Sequence, residues 1–198
     1  MEKQELLKRR LRPGAVYRRA DLAQWSNAVD RHIKQLLAEG ALTKLAGGLY
    51  YAPKLTVFGA APAEDDKLVA GFLKDDRFLL ASPNAYNGLG VGTTQLHNKT
   101  VVYNHKRHGR FSLGGREFEF RVKPAFPKTL SPEFLLVDLV NNLDRVGEEP
   151  QGLLAKVKAR LASYDPARLK RTAQAYGSVR AKKFFTQALA YDAAQHAS

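Results

Sequence analysis

Residues 14–53, GAVYRRADLAQWSNAVDRHIKQLLAEGALTKLAGGLYYAP, decide the fold. GAVY reads as a short strand and RRADLAQW as a helix. Ser26-Asn27 makes a turn into the longer amphipathic helix AVDRHIKQLLAEG, and ALTKLAGGLYYAP closes the stretch as a hairpin. Strand, helix, turn, helix and hairpin in that order predict a winged helix-turn-helix, which presents the outer face of one helix and a two-stranded ribbon side by side to a DNA groove. Val29, Ile33, Leu36 and Leu37 recur at i, i+4, i+7 and i+8 and predict a buried seam. At about 100° per residue, Asn27, Ala28, Arg31, Lys34 and Gln35 then fall on or beside the opposite face. Arginine forks onto guanine, and Asn or Gln pairs with adenine, so this face carries suitable base readers. Asp30 and His32 are expected on its flanks, outside the contacts.

Outward from that helix, Glu39-Gly40 ends it with a glycine stop. Leu42, Leu45, Leu49 and Tyr51 bracket Gly47-Gly48, a pair suited to the positive φ of a tight hairpin turn. Lys44 and Lys54 are the expected cations of this wing, with Pro53 ending its strand. Arg9, Arg10, Arg12, Arg18 and Arg19 surround the start of the module and suit phosphate positioning. The DNA-contact set is therefore Arg18, Arg19, Ser26, Asn27, Arg31, Lys34, Gln35, Lys44 and Lys54. The competing reading is a basic helix and hairpin used for dimerisation or protein docking.

Charge is distributed unevenly along the 198 residues, which carry a net +13. Residues 1–54 hold 11 Lys and Arg against 5 Asp and Glu, residues 55–150 hold 12 against 12, and residues 151–198 hold 9 against 2. Positive charge gathered at the ends suits a polyanion partner. With 44% apolar and 10% aromatic residues the chain can bury one substantial core or two small ones. The absence of cysteine excludes disulfides, thiolate metal sites and a cysteine nucleophile. MEKQELLKRRLR is charged and helical with no apolar run behind it, so neither a secretory signal nor a membrane span is expected, and a cytoplasmic location follows.

Beyond the wing a second domain, residues 55–198, is expected, with 1–54 as the DNA-binding domain. Ala60 to Glu64 reads as a linker into a helix facing inward with Leu68, Val69, Phe72 and Leu73. Residues 78–81, 100–103, 110–113 and 118–122 are strand candidates, the last two joined across Gly114-Gly115. Ser131-Pro132-Glu133 is a helix start for FLLVDLVNNL, which is apolar nearly all round and expected to be deeply buried. Three further helical pieces follow, starting near Leu153, Asp165-Pro166 and Ser178. The fold class is α+β: an N-terminal winged helix-turn-helix, then a mixed α/β domain ending in a helical bundle. Lys156, Lys158, Arg160, Arg168, Lys170, Arg171, Arg180, Lys182 and Lys183 decorate those helices as a further DNA or partner surface, or as a solvated basic face.

Enzyme signals are weak. Gly88-Leu89-Gly90-Val91-Gly92 lacks the P-loop lysine and the GxGxxG spacing, and reads as a glycine-rich turn. His105 and His108 lie in a basic NHKRH segment that disfavours a divalent cation. Asp65-Asp66 and Asp75-Asp76 read as solvated caps. Ser82, Asn84, Tyr86 and Asn87, with Thr93, Thr94 and Gln95, form a polar and aromatic cluster suited to partner or RNA contact, or to satisfying its own loop backbone. No catalytic residue, metal or cofactor is expected.

GAVYRRADL through VDRHIKQLLAEGALTKLAGGLYYAPK, then SPNAYNGLGVGTTQL, the strand VVY and the closing LKRTAQAYGSVRAKKFF, resemble the AbiEi-type antitoxins of type IV toxin-antitoxin systems. The resemblance covers most of the chain. It implies a transcriptional autorepressor that binds inverted repeats in its own operator. The back domain would counteract a nucleotidyltransferase-like toxin. Carried over by position, the recognition helix is Asn27 to Glu39 and the wing Leu42 to Ala52, with no catalytic residues inherited. The alternative is a non-enzymatic RNA- or protein-binding module that uses its basic ends for the partner.

Overall fold

The computed structural model describes residues 2–91 and 99–196. The chain is α+β and divides into two compact units, residues 1–78 with 106–120 and residues 79–105 with 121–198. The expected division at residue 54 therefore falls inside the first compact unit.

The first unit opens with α1 (Glu2–Arg10), β1 (Val16–Arg18), α2 (Arg19–Ala23), α3 (Val29–Ala38), β2 (Thr43–Ala46) and β3 (Leu49–Tyr51). The strands form a three-stranded sheet in the order β1-β3-β2. β1 runs antiparallel to β3, with Val16 opposite Tyr51 and Arg18 opposite Leu49. Leu7, Tyr17, Leu22, Val29, Ile33, Leu36, Leu42 and Ala52 form the core beneath. An α-helix of this length is marginal alone, so α3 owes its placement to that core.

The linker expected over Ala60 to Glu64 begins instead inside a strand. β4 (Lys54–Thr56) and β5 (Gly59–Ala61) make a separate two-stranded hairpin. The Tyr51 hydroxyl ties it down by donating to the Ala61 carbonyl at 2.9 Å. Leu55, Val57 and Phe58 stand exposed on this hairpin.

α4 (Asp65–Leu73) follows, with Leu68, Val69 and Leu73 buried. Gly71 sits where α4 meets β1, and a Cβ there would lie 2.8 Å from Val16 Cγ1 and 3.3 Å from Leu49 Cδ1. Glycine is what permits this close approach. The same unit takes in β8 (Gly109–Leu113) and the start of β9 (Arg116–Val122), paired antiparallel with Phe111 opposite Phe118. The Gly114-Gly115 turn joins them with φ of 56° and 78°. That turn docks on β2, where a register shift between Lys44 and Ala46 leaves the Leu45 carbonyl to accept the Gly114 amide at 2.9 Å. Phe72 packs against Phe111 and Phe120 with ring centroids 5.0 and 5.1 Å away.

In the second unit, β6 (Phe78–Ala81), β7 (Thr100–Asn104) and the end of β9 are neighbours in that order. The helices are α5 (Pro132–Asn141), α6 (Pro150–Arg160), α7 (Pro166–Tyr176) and α8 (Val179–His196). Caps start three of them. Ser131 accepts the Phe134 amide, Glu149 those of Gln151 and Gly152, and Asp165 those of Ala167 and Arg168, each ahead of a first-turn proline. α5 is buried as expected, and α6, α7 and α8 surround its apolar face with Leu153, Val157, Leu169 and Phe185.

Two acids on α5 are buried, Glu133 at 7% exposure and Asp138 at 0%. Asp138 is the centre of a polar network. The Asp138 carboxylate accepts the Tyr86 and Tyr103 hydroxyls, each at 2.7 Å, and the Lys123 ammonium at 2.9 Å. Burial, reinforced by this carboxylate, pushes both tyrosine hydroxyls upward, so they stay protonated as donors.

Gly71→Val is expected to lower stability by about 2 kcal/mol through overpacking against Val16, more than a valine's small gain in helix propensity returns. The urea midpoint reads it. Asp138→Ala strands two hydroxyls and an ammonium, and a loss of about 3 kcal/mol is expected by the same measurement.

Candidate nucleic-acid interface

The burial of α3 sorts its side chains. Val29, Ile33 and Leu36 are buried as expected, but the remaining place in the seam belongs to His32, 4% exposed, and Leu37 is only partly covered. His32 is therefore part of the core, not of the flank where it was expected. Its Nδ1 lies 2.7 Å from Ser26 Oγ, which also accepts the Ala28 amide at 3.2 Å. Ser26 is itself buried, at 8% exposure, with its hydroxyl committed to the turn. It drops out of the expected contact set for that reason.

Asn27, Arg31, Lys34 and Gln35 are exposed. Lys44 is exposed on β2, opposite Tyr50. The Gly47-Gly48 turn joins β2 to β3 with Gly48 at φ 69°, and the Gly48 carbonyl accepts the Arg19 amide at 2.9 Å. This bond fixes the β2–β3 hairpin against the start of α2. Lys54 is exposed too, but it begins β4 and lies outside the β2–β3 ribbon to which it was assigned.

The two arginines at the start of α2 are already engaged. Arg18 Nε donates to Asp21 at 3.3 Å. Arg19 forks onto Asp30 at 2.7 and 2.5 Å, and this hydrogen-bonded guanidinium holds the Asp30 carboxyl below its usual range. Asp30 thus has a part in the surface that its flanking position did not suggest. A guanidinium has five N–H donors, so both arginines keep donors beyond these pairs. Elsewhere Arg9 pairs with Glu5 at 3.8 Å, and Arg10 lies over the Trp25 ring at 5.8 Å.

The other sequence signals resolve structurally. Ser82 caps the 3₁₀ turn Pro83–Leu89 by accepting the Asn84 amide, and Tyr86 belongs to the buried Asp138 network. Gly92, Thr93, Thr94 and Gln95 lie outside the described residues. His105 stacks on Phe126 with centroids 4.6 Å apart. Asp75 is not the solvated cap expected: its side chain is 7% exposed and binds Arg77 and Lys106 at 3.2 and 3.0 Å. Among the described residues, no group of three or more His, Asp or Glu is placed to hold a metal ion. Nor, among them, is any helix long and apolar enough to cross a membrane.

Ser26→Ala removes the acceptor of the Ala28 amide and the partner of a buried imidazole. A loss of about 1–3 kcal/mol is expected in the urea midpoint, with affinity of the remaining folded protein for any partner of α3 unchanged. Affinity loss without loss of stability would return Ser26 to the contact set.

No family model matches the chain, and no curated protein matches it. Its fold is similar to that in the crystal structure of the RV2827C protein from Mycobacterium tuberculosis, at 19% identity and a TM-score of 0.57, over 94% of this chain and 74% of that one. At that identity the likeness shows the fold alone.

Proposed function

We propose that the first unit is a winged helix-turn-helix that binds duplex DNA, and that the protein is a transcriptional autorepressor and antitoxin without catalytic activity. The observation that carries the DNA reading is the sorting of α3: Arg31, Lys34 and Gln35 exposed, with Val29, His32, Ile33 and Leu36 sealed in the core. The β2–β3 ribbon, held to α2 through Gly48 and Arg19, supplies the wing. In this reading Arg31 and Gln35 contact base edges, Lys34 and Lys44 contact phosphates, and Asn27 meets the strand at the helix start. A cytoplasmic site of action goes with it.

The antitoxin half of the proposal rests on the resemblance to AbiEi-type antitoxins. The partner it implies is a nucleotidyltransferase-like toxin from the neighbouring gene, counteracted by the chain beyond the DNA-binding front. Operator DNA with inverted repeats would then seat two copies.

Two measurements test the halves separately. Arg31→Ala is expected to cost about 1–3 kcal/mol on the chain's own upstream DNA and to flatten its preference over a scrambled duplex. Lys34→Ala is expected to weaken both duplexes alike. A double variant that binds the upstream DNA as tightly as wild type would remove α3 from the interface. Expressed from an unrelated promoter, the same double variant should still rescue growth from the toxin while failing to repress. Absence of rescue by the wild-type chain sinks the antitoxin half alone.

A further inference from the structure

Lys74, at the end of α4, is the one non-glycine with a positive φ among the described residues, at φ 56° and ψ 41°. Glycine enters this left-handed region freely, and it is the usual residue at such a helix end. An L side chain occupies it at a cost of about 1–2 kcal/mol. Backbone preference alone favours glycine here, so the lysine side chain invites a functional explanation.

Its surroundings supply one. The close approach at Gly71 sets the end of α4 beside β1 and the start of β3, next to the Gly47-Gly48 turn. Arg107, in the turn before β8, lays its guanidinium over the Phe72 ring at 4.7 Å. Arg18, Arg19, Lys74 and Arg107 line one open groove together with the Gly47-Gly48 turn, and no acidic residue is among the described residues lining it. A Cβ at Gly47 or Gly48 would meet nothing within 4 Å, so the backbone of that turn is open to a ligand. Asp21 and Asp30 bind Arg18 and Arg19, and Asp75 draws Lys106 and Arg77 to itself. Four cations line the groove, two of them paired with Asp21 and Asp30. A guanidinium held over an aromatic ring stays charged, and its planar fork suits an oxyanion.

We propose that this groove is a phosphate-binding site for the backbone of duplex DNA, with Lys74 and Arg107 extending the footprint of α3 and the wing. The proposal rests on the DNA reading above and adds to it residues remote from the helix-turn-helix in sequence. Phosphate contacts of this kind position the protein without reading sequence.

The test uses the full chain and fluorescence anisotropy across a salt series. Its probes are the chain's own upstream duplex, a scrambled duplex of equal length and an RNA hairpin. Lys74→Gly removes the cation at a position where glycine fits, so its melting temperature should not fall below that of wild type. Arg107→Gln is the second variant. Each is expected to weaken both duplexes equally, by about three- to tenfold, and to lower the salt slope by about one, with the double variant losing about two. Wild-type affinity and slope in both variants would overturn the groove. If Arg31→Ala still loses affinity in that case, the α3 reading stands without it. Weakening by Lys74→Gly and Arg107→Gln, with Arg31→Ala silent, supports the groove and rejects α3. Tighter wild-type binding to the RNA hairpin than to either duplex rejects both.

Discussion

Burial of Val29, Ile33 and Leu36 against Leu7, Leu22 and Leu42 is the constraint on which the front of the molecule depends. Each such side chain contributes about 1.5–3 kcal/mol when fully buried, whereas α3 by itself is too short to be stable in water. The core therefore sets both the existence of the helix and its rotation. Turning it by one residue, about 100°, would withdraw that seam and press Arg31 or Lys34 inward, where an unpaired charge costs several kcal/mol. The polar face is outward because the alternative loses on both counts.

That seam was legible because its period is a property of the chain alone. The residue that completes it was not. Val29, His32, Ile33 and Leu36 occupy i, i+3, i+4 and i+7, so a polar residue fills a core slot and moves Leu37 toward the edge. A buried imidazole needs a partner, and Ser26 supplies it from the turn. A serine before a helix suits a cap, a core hydrogen bond or a nucleic-acid contact equally well in sequence. Only the burial of His32 decides among them.

Strands β6 to β9 and the buried α5 were also readable, from alternation, the Gly114-Gly115 turn and the Ser131-Pro132 cap. What the readable hairpin packs against was not. Gly114 docks on the Leu45 carbonyl because β2 carries an irregularity there, and nothing in GALTKLAGG signals it. Gly71 did carry a signal: a lone glycine inside an amphipathic helix costs about 1 kcal/mol relative to alanine and points to a close neighbour. It does not say which neighbour. That neighbour is Val16, and α4 belongs to the same compact unit as β1.

Net charge along the chain does not follow charge in space. Residues 55–150 are neutral in sum, yet their charges are paired unevenly in space. Glu64 binds Lys67, Asp65 binds Arg116, Asp75 binds Arg77 and Lys106, and Asp138 is sealed against Lys123. Asp75, next to Lys74 in the chain, is itself held by two cations, Arg77 and Lys106, and Asp138 is paired with Lys123, so such acids are already offset by their own partners. Lys74 and Arg107 line the groove at the Gly47-Gly48 turn although their segment sums to zero. For a partner that carries one phosphate every few ångströms, that local sign matters more than the total.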